Sequence, residues 1–370
     1  MVHLICLWTL GDVTFSLVGK ERQLLSVISS AMAIAALVVL TGWVYQQIGT
    51  ARGRKRYPAP GCLVNLQGQS LHLLSMGEGS PTVVFESGLM STVLSWHDIQ
   101  AEIAKDARAV SYDRAGLGWS ELGPAPRDAE QIVSELHQLL DQAQVCPPFI
   151  LVGHSFGGLT TRLFAARYPD DVAGLVLIDP VVPSEWNPPS EHNQKRIRTG
   201  AQILRRATVL SRLGLIRFVS FLLRVGAKSL AEPLVRLMSK GAPKGDGTSS
   251  SPLFWNLPPS ERALAPVFWV QPKFTDTIAS QLENLPRSAA QVVAAEDLKD
   301  VAVTIISAAN TPAKRKAEHI AIAEMSSCGK HVTAARSGHW VVTDEPEIVV
   351  QAIREMIERT RKPSVMSAGV

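Results

Sequence analysis

Apolar positions along the chain fall into two regimes. From about Leu24 to Ile48 they follow one another closely, and no charged side chain occurs between Arg22 and Arg52. A bilayer-crossing helix needs roughly 20 mainly apolar residues, so this stretch predicts one transmembrane helix over residues 24–48. Trp43 and Tyr45 suit its interfacial end. A secretory signal peptide is the bland alternative, but its apolar region spans only roughly 7 to 15 residues. The first eighteen residues are also apolar apart from Asp12, and residues 1–23 are read as an extension with no assigned role.

Beyond a basic, proline-containing linker over 49–61, short β-rich runs alternate with amphipathic helical segments. Strands are expected near Leu63 to Leu66, Ser70 to Leu74, Thr82 to Phe85, Ala109 to Tyr112, Phe149 to Val152, Leu175 to Ile178, Val303 to Ser307 and His331 to Ala334. The helical period appears near Ile99, from Ala129 to Gln142, from Gly157 to Arg167 and from Pro346 to Arg359. This alternation predicts an α/β domain, a mainly parallel eight-stranded sheet with helices on both faces. Between Val182 and about Ala290 the strand rhythm stops. The sequence turns helical and basic, then loop-like around Gly241 to Pro252. The core is therefore expected over 62–182 and 291–362, with an inserted helical cap over 183–290 and a tail over 363–370.

Composition adds limits rather than identity. A length of 370 residues suits one large domain with an insertion. A net charge of +4 gives no field that implies nucleic acid as a partner. The four cysteines, Cys6, Cys62, Cys146 and Cys328, have neither zinc-site nor disulfide-framework spacing. Charge matters where it clusters. Arg52, Arg54, Lys55 and Arg56 follow the apolar span while Lys20 and Arg22 precede it, which by the positive-inside bias puts the folded part in the cytoplasm. A signal-anchor reading, with Lys20 and Arg22 inside, reverses that. Within the cap, Ile203 to Lys228 mixes apolar residues with Arg205, Arg206, Arg212, Arg217 and Arg224 and holds no acidic residue. Such a segment either lies on anionic lipid or is a cap helix with solvated arginines.

The sharpest chemical signal is Ile150-Leu151-Val152-Gly153-His154-Ser155-Phe156-Gly157-Gly158, an apolar strand that runs through GxSxG into a helix. That arrangement puts a serine on a strained turn, where its hydroxyl can act as nucleophile. A serine hydroxyl needs a base. Of nine histidines, His339 in Ser337-Gly338-His339-Trp340 is best placed, past the last strand and before the terminal helix. His154 should point away from the serine, His72 should be packed, His97 could line the site, and His319 and His331 read as surface residues. The imidazole in turn needs a carboxylate to orient it. The loop after the strand that follows the cap, Ser307 to Pro312, has no Asp or Glu, whereas Asp179 ends the strand just before the cap. Asp179 is therefore the expected acid, with Glu318 and Asn310 as fallbacks and a turn-capping role before Pro180 as the structural alternative. Oxyanion donors are expected from the backbone N–H groups of Phe156 and Leu89, the latter in Phe85-Glu86-Ser87-Gly88-Leu89.

These stretches, with Arg56 to Gly61, Ser111 to Ser120, Tyr168-Pro169 and Leu175 to Asp179, resemble a bacterial-type membrane-anchored hydrolase of the α/β-hydrolase fold. The resemblance covers the core but little of the cap. It implies a Ser-His-acid triad acting on esters or related acyl compounds, a small-molecule acyl substrate, and neither cofactor nor metal. It also implies that Asp113 and Arg114 brace a loop, and that the acid can follow the strand preceding the cap. Epoxide hydrolases and dehalogenases of similar fold carry aspartate at the elbow, where this chain has Ser155. A non-catalytic ligand-binding or signalling protein on the same fold is the competing class. Membrane lipid is the other expected partner, through the N-terminal helix and the basic cap; the oligomeric state is left open.

Overall fold

The computed structural model describes residues 2–66, 68–238, 259–295, 298 and 300–361. The loop-like stretch Gly241 to Pro252 and the tail 363–370 lie outside them. Eight strands form one sheet: β1 Cys62–Leu66, β2 Gln69–Met76, β3 Thr82–Glu86, β4 Ala109–Tyr112, β5 Phe149–His154, β6 Val172–Ile178, β7 Ala302–Ala308 and β8 Lys330–Ala334. Their order is β1-β2-β4-β3-β5-β6-β7-β8. β2 pairs antiparallel with β1 and β4, and every later pairing is parallel.

Thirteen α-helices are described: α1 Val2–Arg56, α2 His97–Ile103, α3 Ala129–Gln142, α4 Gly157–Arg167, α5 Glu191–Arg212, α6 Leu215–Arg224, α7 Lys228–Met238, α8 Pro259–Phe268, α9 Pro272–Glu283, α10 Leu285–Ala295, α11 Ala313–Glu324, α12 Val341–Asp344 and α13 Pro346–Arg361. Strand side chains alternate between two cores, as the two-residue period requires. Phe149 and Leu151 of β5 join α3, α4, α10 and α11 residues such as Leu136, Leu163, Val292 and Ile322 on one face. Ile150 and Val152 join Ile99 and Ile103 of α2 and Ile353 and Ile357 of α13 on the other. Both faces of the sheet are thus dry. Each fully buried Leu, Ile or Phe contributes about 1.5–3 kcal/mol relative to exposure, so these two cores fix the sheet edge on which the candidate site stands.

α1 departs from the expected boundaries. The helix runs unbroken through both the supposed extension and most of the supposed linker, ending at Arg56. No proline interrupts it before Pro58, and Arg54, Lys55 and Arg56 in its last turn are favoured by the helix dipole. Leu25, Met32 and Val38 are about two-thirds exposed, and the segment Leu25–Arg56 is long and apolar enough to cross a membrane. Its C-terminal part nevertheless docks on the folded domain. Gln46 is buried, and its amide donates to the Val270 carbonyl (3.1 Å) while its oxygen accepts from Arg217 Nε (3.0 Å). Arg217 also donates to Thr50 Oγ1 (3.1 Å), and Trp119 Nε1 donates to the Tyr57 carbonyl (2.9 Å).

Between β6 and β7 the described residues hold helices and no sheet strand. The basic segment Ile203 to Lys228 is not one helix. Gly214, at φ 72°, takes the left-handed conformation that glycine tolerates and separates α5 from α6.

Candidate active site

β5 delivers Ser155 on a turn of positive φ, 55°, directly before α4. A non-glycine residue in that region is strained, and here surrounding hydrogen bonds hold it. Ser155 N donates to the Ile178 carbonyl, and the Ser155 carbonyl accepts from Gly158 N and Val181 N, each at 3.0 Å. The flanking glycines are required by close approach. A Cβ on Gly153 would sit 2.6 Å from the Gly157 carbonyl oxygen, and one on Gly157 would sit 2.4 Å from the Glu86 carbonyl oxygen.

Three side chains distant in sequence form one hydrogen-bonded chain. His339 Nε2 lies 2.9 Å from Ser155 Oγ, and His339 Nδ1 lies 2.6 Å from Asp179 Oδ2. Asp179 can only accept on Nδ1–H, so Nε2 is left with its lone pair toward the serine hydroxyl. Asp179 follows β6 at φ 39°. Its other oxygen accepts from Thr311 Oγ1 (2.6 Å) and Ala308 N (3.3 Å). Burial pushes the Asp179 carboxyl up, but hydrogen bonds from His339 and Thr311 outweigh it and hold the group well below the usual carboxylate range. Thr311 thus occupies the loop after β7, where the sequence offers no acid. The two fallback orienters sit elsewhere: Glu318 accepts from Ser184, and Asn310 is exposed.

The backbone N–H groups of Leu89 and Phe156 have no acceptor among the described residues. Both flank Ser155, Leu89 in the wall of the same cavity and Phe156 at the N-terminus of α4. The Leu89 loop is clamped from below. Arg114 is buried, donates to Glu86 and to the Ser87 (2.7 Å) and Gly88 carbonyls, and stacks 5.2 Å from the Phe156 ring. Asp113 joins His72 (2.8 Å) to Val93 N and Trp119 N. The cavity above Ser155 measures about 110 Å³ and is walled by Leu89, Met90, Trp269 and Trp340.

The other histidines sort differently from their sequence reading in two cases. His72 is packed and His97 is exposed, outside the cavity wall. His319 is fully buried, not a surface residue, because it bonds Ser307 Oγ (2.7 Å) and the Pro180 carbonyl (2.9 Å); His331 is half-buried on the same Ser307 (2.8 Å). His154 is buried and donates Nε2–H to the His339 carbonyl (2.9 Å), bracing the loop that carries the imidazole. Sequence alone carries no signal for that contact, which spans half of the chain.

Burial, with the adjacent His339, lowers the His154 pKa to about 3. Its ordinary value is about 6.5. The folded protein keeps it neutral while the unfolded chain takes up a proton, so its contribution is complete above about pH 6.5 and is lost as pH falls toward about 3. The slope is at most about 1.4 kcal/mol per pH unit. Urea unfolding at pH 7 and pH 5 should show a smaller acid loss for His154→Gln, which still donates to the carbonyl; an unchanged loss would assign the acid sensitivity to other groups.

A family model described as the alpha/beta hydrolase family matches residues 83–352. Among curated relatives, an uncharacterized protein, YqjL, of Bacillus subtilis is 37% identical over 128 residues, covering 35% of this chain and 48% of its own. Lipase LipV of Mycobacterium tuberculosis is 37% identical over 113 residues, covering 30% and 42%. The chain spans about half the length of the first curated relatives it matches. Among solved structures, a thermophilic esterase from Thermogutta terrifontis superposes with a TM-score of 0.57 at 19% identity, over 81% of this chain and 99% of that one.

Proposed function

We propose, for a chain that belongs to the alpha/beta hydrolase family, the activity of a membrane-anchored serine hydrolase that cleaves carboxyl esters or related acyl bonds of small molecules. The carrying observation is the unbroken hydrogen-bonded chain Ser155–His339–Asp179. In the proposed cycle Ser155 Oγ attacks the acyl carbon while His339 Nε2 takes the hydroxyl proton. Asp179 holds the ring and stabilises its cationic form. The N–H groups of Phe156 and Leu89 receive the developing oxyanion, helped by the positive end of α4. His339 then returns the proton to the leaving alcohol, and water, deprotonated by the same nitrogen, releases the acid and restores Ser155. An apolar wall of Met90, Trp269 and Trp340 supports an uncharged acyl group as the part bound beside the serine.

Ser155 at the elbow supports an acyl-enzyme route over the aspartyl ester chemistry of related folds. For location, the exposed apolar surface of α1 supports a single span, and the cations of 52–56 support a cytoplasmic catalytic domain. The full chain, solubilised in mild detergent, should be labelled by a fluorophosphonate probe at Ser155. Absence of labelling would favour the binding-protein reading instead.

A further inference from the structure

The anchor and the cap are fixed to each other at a definite height. At Gly42, α1 approaches the α5–α6 corner so closely that a Cβ there would sit 2.2 Å from the Leu213 carbonyl oxygen, and Gly214 faces the Gly42 carbonyl in return. One turn on, the Gln46–Arg217–Thr50 hydrogen bonds lock the rotation of α1 against α6. The uncharged run between Arg22 and Arg52 is centred on Leu37, which puts Gly42 about 7.5 Å from its middle, inside the roughly 15 Å half-thickness of a hydrocarbon layer. Trp43 and Tyr45, both partly exposed, follow about 9 and 12 Å from that middle, on the approach to the acyl–headgroup boundary. The corner of the cap therefore dips into the outer half of one leaflet.

What the cap presents there is matched to that leaflet. α6 buries Val219 and Leu222 against Ala231 of α7, yet Phe218, Phe221, Leu223, Val225 and Leu230 remain 43 to 65% exposed. Arg212, Arg224 and Lys228 are exposed among them, and no carboxylate among the described residues pairs with these three cations. An apolar ridge edged with cations is the composition that seats at an anionic lipid interface.

We infer that the outer faces of α6 and of the start of α7 insert into the anionic leaflet beside α1, so that the domain lies on the membrane and is not held off it by a tether. This rests on the reading of α1 as a membrane span, and not on the proposed chemistry. The test uses the full chain with its other cysteines changed to serine, in vesicles of phosphatidylcholine and phosphatidylglycerol that contain nitroxide-labelled lipid. An NBD fluorophore is placed singly at Leu37→Cys, Phe221→Cys, Val225→Cys or native Cys328, the last exposed near the opposite end of the sheet. Emission at 37, 221 and 225 should be blue-shifted and quenched several-fold more than at Cys328. Quenching at 37 but not at 221 and 225 overturns the proposal and leaves the anchor intact; no quenching at 37 overturns the anchor and the proposal together. A blue shift at 221 and 225 without lipid quenching also overturns it, because the ridge is then covered by protein, such as a second copy.

Discussion

Ser155→Ala is expected to lower kcat for a chromogenic short-chain ester by roughly 10⁵ to 10⁶-fold, with KM and the urea unfolding midpoint little changed. The size of the loss follows from the geometry. Oγ is the atom proposed to form the acyl bond, and it is the partner of His339 Nε2 at 2.9 Å. Among the described residues no other hydroxyl lines the cavity to replace it. What survives in the variant is the binding wall and the two free N–H groups, enough for a small residual rate over water. Alanine keeps the backbone bonds of Ser155 to Ile178, Gly158 and Val181, so folding should persist. Turnover within tenfold of the parent, by a purified variant that also binds the fluorophosphonate, would move the nucleophile elsewhere.

Asp179→Asn is expected to reduce kcat by about 10⁴-fold while KM stays within a few-fold. Asparagine matches the shape and tolerates the positive φ of 39° at this position, so the change isolates charge and tautomer from packing. Its amide would face His339 Nδ1, now as a donor, and would favour the tautomer that carries its proton on Nε2, toward the serine. The carboxylate charge that stabilises the imidazolium goes as well. A log plot of kcat/KM against pH, with far-ultraviolet circular dichroism to confirm folding, separates this from collapse of the loop. Full activity in Asp179→Asn would show that the histidine is oriented without a carboxylate, since Glu318 is engaged by Ser184 and Asn310 is exposed.

Much of this architecture was legible in the sequence because it is written in local periods. The eight strand positions follow from two-residue alternation and apolar runs between turn residues, and the observed bounds differ mainly by a few residues at the ends. Asp179 stood out through a gap: Ser307 to Pro312 lacks an acid, and the preceding strand ends in one. The helical extent of residues 49–56 was obscured by reading charge as linker, although no proline precedes Pro58 and the cations sit at the favourable helix end. Gly214 carried a usable signal for the α5–α6 break that the arginine pattern masked. The burial of His319, the bracing of His339 by His154, and the seating of Gln46 on Arg217 and Val270 could not be read, because each depends on contacts between residues far apart in the chain.

The bond from Gln46 to the Val270 carbonyl changes what detaching the first helix would mean. Val270 follows Trp269, which walls the cavity, and Gly53 of the same helix lies against Val267. A fragment beginning near residue 58 would keep Trp269 but lose the contacts that hold the segment behind it, so acyl-chain preferences measured on such a fragment would test the proposed activity with one wall of the cavity unsupported.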